Sequence, residues 1–123
     1  MALDNLTKVG TYNDKFNKIL NINISQKDIF VSDGLKTHLI KRNHLDCLKY
    51  INKLQEIIKN PDYIGVNPNE SGDSVELVKK YSDNVLIGIK VDLSSNILYV
   101  STMYNLQEQK LQRRIHSRRL VKF

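Results

Sequence analysis

The sequence predicts an α+β domain, with N-terminal helices, the longest over about 44–59, packed on a four-stranded antiparallel β-meander and followed by a short basic C-terminal helix or tail. Three observations predict it. Ile40, His44, Cys47, Leu48, Ile51, Leu54 and Ile58 recur at three- and four-residue steps, the spacing of one buried helix face. Val85, Ile87, Ile89, Val91 and Leu93 alternate with Leu86, Gly88, Lys90 and Asp92 at the two-residue period of a strand. The links between successive β-rich runs are too short for the crossover that parallel strands need, so these runs pair antiparallel.

In chain order, 1–34 is the least regular stretch. Asn13 to Leu20 makes a short helix with Phe16, Ile19 and Leu20 on one side, and Asp28–Ser32 is extended, leading into the turn signal Asp33-Gly34. A short helix near 35–41 precedes the long one, which Asn43 and Asp46 open as an N-cap with an acidic first turn. Asn60-Pro61 ends it, because proline cannot continue the hydrogen-bond ladder. Strands follow at 63–66, 75–81, 85–93 and 97–104, and Asn105 and Glu108 cap the last, basic segment.

At 123 residues the chain, 1–123, is one domain. Hydrophobic residues make up 41% and charged ones 26%, enough apolar surface to offset the entropy of ordering. No run approaches the roughly 18 apolar residues of a membrane helix. The start of the chain lacks the order of a signal peptide, and the single cysteine, Cys47, fits a reducing compartment, so a cytoplasmic location is expected. The net charge of +6 is confined to the end of the chain. Lys110, Arg113, Arg114, Arg118, Arg119 and Lys122 supply all of it, with no acid among the last 14 residues. Such asymmetry favours a polyanionic partner, nucleic acid before an anionic membrane, although a basic run is also a common solubilising device.

Candidates for chemistry cluster in Thr37–His44. Histidine moves protons near neutral pH, and Lys41 and Arg42 beside His38 and His44 would bind a phosphate. His44 also lies on the apolar stripe, where a structural histidine is the plain alternative. On the last strand Ser101 and Thr102 offer hydroxyls, and Tyr81, Tyr99 and Tyr104 could stack on bases or be ordinary strand residues. Lys90 interrupts the most apolar strand, so it is either solvent-facing or in need of a partner. The glycines are isolated, the acids scattered and the histidines and cysteine wrongly spaced for zinc, so neither metal nor cofactor is expected.

The run His38-Leu39-Ile40-Lys41-Arg42-Asn43-His44, the helix end Ile57-Ile58-Lys59-Asn60-Pro61-Asp62-Tyr63-Ile64, and the strand end Thr102-Met103-Tyr104 before a basic segment resemble the phage-associated nuclease-like domains grouped with barnase, EndoU, colicin and RelE-type toxins. The resemblance covers roughly 24–120, leaving 1–23 as an N-terminal extension. It implies a helix-plus-antiparallel-sheet (BECR) fold and metal-independent RNA cleavage, with His38 and His44 at the histidine positions and Lys41 or Arg42 as the nearby cation. Ser101, Thr102, Arg113 and Arg114 match more loosely. The sequence departs from the pattern at His116-Ser117-Arg118-Arg119, where a glycine is expected before the last basic turn.

With that resemblance, the expected function is that of a small metal-independent endoribonuclease or toxin-like domain of phage or mobile-element origin. The substrate's 2′-hydroxyl attacks, His38 takes its proton, His44 or Tyr104 protonates the leaving oxygen, and Arg42 or Lys41 stabilises the phosphoryl charge. Ser101, Thr102, Lys110, Arg113 and Arg114 bind the substrate. RNA is the expected partner, with an acidic inhibitor or antitoxin as a second. The alternatives are a noncatalytic nucleic-acid-binding module, in which the basic segment carries salt-sensitive binding, and a protein-interaction module.

Overall fold

A computed structural model of the chain describes residues 5–35, 37, 45–69 and 74–123, with only the backbone course of 45–48. Within these residues the alternating runs become seven strands: β1 (Leu6–Thr11), β2 (Asp28–Ser32), β3 (Tyr63–Val66), β4 (Ser74–Lys80), β5 (Asn84–Asp92), β6 (Ile97–Asn105) and β7 (Leu120–Lys122). They form one sheet in the order β1-β2-β6-β5-β4-β3-β7. The β2–β6 pair is parallel and the other neighbours are antiparallel. Among the elements with described bounds, three short helices accompany the sheet, α1 (Asp14–Leu20), α2 (Leu54–Lys59) and α3 (Glu108–His116), together with a 3-10 helix over Leu45–Lys53.

This corrects the expected fold. The consecutive antiparallel strands β3 to β6 are the middle of a seven-stranded mixed sheet, flanked by β1 and β2 on one side and β7 on the other. No long helix spans 44–59, since a 3-10 helix winds the segment as far as Lys53 and α2 adds only six residues. Tyr50 gives the physical reason. Its hydroxyl donates to Asp83 at 2.9 Å and lies 3.0 Å from the Ser82 hydroxyl, and its ring stacks on Tyr81 at 5.0 Å. Anchoring to the β4–β5 turn overrides the α-helical spacing, which 3-10 winding approximates over a few residues. Of the two alternatives for the basic C-terminal segment, helix or tail, it takes the helix. It is α3 followed by an edge strand, with Phe123 set edge-on against Phe16 at 5.1 Å. The short helix expected near 35–41 falls largely outside the described residues.

Alternation gives the sheet two different faces. On one, Val75, Leu77, Val85, Ile87, Ile89, Leu98 and Met103 pack with Phe16, Tyr50, Leu54, Ile57 and Ile58 as the main core. On the other, Val78 and Leu86 pack with Leu106, Leu111 and Leu120 beneath α3. That second core covers only one end of the sheet, and the row beyond it carries the polar residues described next. Among the described residues no helix is long and apolar enough to cross a membrane.

Candidate active site

β4 is buried on both faces, yet its third residue is a glutamate. Glu76 is 3% exposed. Burying a lone carboxylate costs several kcal/mol, so the fold must bring a cation to it. It brings two. Arg119 donates from Nε to one carboxylate oxygen at 3.0 Å and from Nη2 to the other at 3.1 Å, a two-pronged pairing that fixes the guanidinium plane. Arg114 Nη1 stands 3.8 Å from the same carboxylate and donates to the Tyr104 hydroxyl at 3.2 Å. Arg119 Nη2 also reaches the Asn67 side-chain oxygen at 3.4 Å.

Local sequence explains how each group arrives. Gly65 is the register partner of both Glu76 and Leu120, and a Cβ there would lie 2.1 Å from the backbone oxygen of Arg119. Only glycine lets the turn after α3 pass so close over the sheet. Arg118 makes that turn in the left-handed region at φ 65, in the stretch where the resemblance implies a glycine. α3 is fixed at its other end through Glu108. Gln112 first, then Asn84 and Lys80, hold the Glu108 carboxyl below the usual carboxylate range. The Asn84 amide also donates to the Leu106 carbonyl at 3.0 Å, tying the helix start to β5.

A β-bulge completes the row. Ile89 pairs with Val100 and Gly88 with Thr102, leaving Ser101 as the extra residue. Gly88, in register with Glu76 as well, is crowded by its neighbours, since a Cβ there would lie 2.9 Å from Thr102 Cγ2 and 3.3 Å from Ser101 Oγ, and the Ser101 hydroxyl donates to its carbonyl at 3.2 Å. Thr102 and Glu76 thus stand on either side of a bare glycine. Beside them Lys110, Arg113, Arg114, Ser117 and Arg119 line an open pocket of about 390 Å³. A guanidinium carries five donors, so Arg119 and Arg114 keep donors beyond those spent on Glu76, Tyr104 and Asn67. The arrangement presents two pre-oriented cations, a phenol and hydroxyls, which suits binding a phosphoryl group.

Of the residues singled out in the sequence, the structure brings Tyr104 and Arg114 into direct contact, sets Thr102 and Ser101 in the adjoining row, and places Lys110 and Arg113 on the pocket rim. His38, Lys41, Arg42 and His44 lie outside the described residues. Sequence reasoning missed Glu76, Arg119 and Asn67. The signal for Glu76 was present in Ser74-Val75-Glu76-Leu77-Val78, a charge flanked by apolar residues of both parities, which needs a partner even more than Lys90 does. Among the described residues no three His, Cys, Asp or Glu side chains gather as metal ligands would.

No curated protein and no solved structure matches the chain. A family profile matches residues 7–113, which include Glu76, Ser101, Thr102 and Tyr104, while Arg114 and Arg119 lie beyond its end. With most of its length matched, the chain belongs to the phage-Barnase-EndoU-ColicinE5/D-RelE like nuclease3 family.

Proposed function

We propose that this nuclease-family chain is a metal-independent endoribonuclease whose substrate supplies its own nucleophile, the 2′-hydroxyl. The observation that carries the reading is the buried Glu76, which holds Arg119 and Arg114 at an open basic pocket. The two guanidiniums take the non-bridging oxygens of the scissile phosphate and stabilise the charge that builds as the 2′-oxygen attacks phosphorus. Glu76 has both oxygens engaged and is a positioning residue. Proton transfer falls to His38 as base and to Tyr104 or His44 as acid on the departing 5′-oxygen, with Lys41 or Arg42 adding charge near the histidines. Ser101, Thr102, Lys110 and Arg113 bind flanking parts of the RNA. An acidic inhibitor protein would compete for the same rim, as charge complementarity favours.

The test is incubation of purified protein with total RNA in EDTA, with end-group analysis of the fragments. Cleavage leaving 2′,3′-cyclic or 3′-phosphate ends, reduced about 10²–10⁴-fold in a folded His38→Ala protein, is expected. Cleavage with 5′-phosphate ends, or only in the presence of added metal, would contradict the reading. Salt-sensitive RNA binding without cleavage would favour the noncatalytic binding module.

A further inference from the structure

Three tyrosines offered themselves as base-stacking residues, and the structure sorts them. Tyr81 is stacked on Tyr50, on the helical side of the sheet. Tyr104 packs against the small core beneath α3, with its hydroxyl on Arg114. Tyr99 is different. Its neighbours along β6, Leu98 and Val100, point into the main core, so Tyr99 stands on the opposite face, the face that carries Glu76. The parallel pairing of β2 with β6 sets Phe30 beside it, and the antiparallel pairing of β5 sets Lys90 on its other side. Phe30 and Tyr99 are both half-buried, and neither is among the residues packed into either core. Two aromatic residues in register on a sheet face that joins a cationic pocket fit a particular occupant, because every nucleobase has a π-face.

We propose that Phe30 and Tyr99 form a stacking platform for one nucleobase of single-stranded RNA, a row away from the phosphate site at Glu76, Arg114 and Arg119. The inference rests on the ribonuclease reading and names the part of the substrate that the arginines do not touch. The Phe30–Tyr99–Lys90–Ser74 row and the Thr102–Gly88–Glu76 row are neighbours, about 7 Å apart along the strands. That is the scale on which a base stands off from its backbone phosphate. A duplex keeps its bases stacked on each other, so the platform selects unpaired RNA.

The experiment uses the full chain and a short unstructured oligoribonucleotide that it cleaves, together with versions carrying one abasic residue at each position around the cut. Wild-type protein is expected to show one position at which loss of the base raises KM about 5- to 150-fold. Tyr99→Leu and Phe30→Leu should bring that factor close to one with kcat nearly unchanged, and Tyr99→Phe should restore it. Equal loss on intact and abasic RNA would make the aromatics structural and overturn the proposal. So would the absence of any sensitive position, or a change of oligomeric state in Tyr99→Leu that places a second copy on the platform. If the wild type cleaves no RNA, the ribonuclease reading fails separately. Fluorescence anisotropy with the same oligonucleotides then decides the platform, which stands only if the abasic penalty depends on Tyr99.

Discussion

Glu76 and Arg119 are each explained by the other. A carboxylate 3% exposed is tolerable only because two guanidinium nitrogens meet its two oxygens, so the pair answers differently to losing one member than to losing both. Arg119→Ala leaves Glu76 with Arg114 at 3.8 Å, and we expect a loss of about 3–5 kcal/mol in urea unfolding. A double replacement, Glu76→Met with Arg119→Leu, should cost less than that single change, and strictly additive losses would show that the pair is not coupled. Gly65 has a different role. A methyl there meets the Arg119 carbonyl oxygen, so Gly65→Ala should destabilise by about 1–3 kcal/mol and, by pushing Arg119 off Glu76, lower cleavage. Unchanged stability and activity would remove Gly65 from the account. The sequence held Glu76 in view, since a charge inside an apolar strand demands a partner. It did not show that the partner lay 43 residues away in a turn.

At the scale of elements, what could be read from the sequence followed local periodicity. β5 alternates over its full length, and Asn60-Pro61 marks the end of α2, whose last residue is Lys59. β1, β7 and the parallel register of β2 were not legible. β7 is three residues long, and the β1 and β2 pairings are settled by partners far along the chain rather than by any pattern of their own. The segment over 45–53 misled for a related reason, because steps of three and four serve a 3-10 and an α-helix alike over so short a run. Its anchor makes a measurable prediction. The Tyr50 hydroxyl first, and then Lys49, hold the Asp83 carboxyl below its ordinary value. A carboxyl depressed in the folded state contributes stability that is complete above the unfolded value and lost as pH falls through the folded one. From pH 7 down to about pH 3, wild-type protein should therefore lose urea stability faster than Asp83→Asn. Parallel curves for the two proteins would mean that the anchor does not carry this charge.

For the whole molecule, the decisive feature is where the excess charge goes. All six surplus cations follow residue 109, yet they do not form a detachable arm. Two of them, Arg114 and Arg119, turn inward to Glu76, Lys110 and Arg113 edge the pocket, and the last strand closes the sheet. Removing 110–123 would thus dismantle the fold along with any binding, and point substitutions are the informative probes. The sheet places cations, hydroxyls and an aromatic row on one face, while the opposite face is given over to the main core. On the proposed reading, RNA cleavage turns on the guanidiniums held by Glu76. The sharpest measurement is the cleavage rate of Arg119→Lys, which keeps the charge and loses the two-pronged geometry, beside that of Lys15→Ala, an exposed lysine of α1. With folding verified by thermal melting, Arg119→Lys should fall about 10²–10³-fold in kcat while Lys15→Ala stays at the wild-type rate. Wild-type cleavage by a folded Arg119→Lys protein would contradict the account.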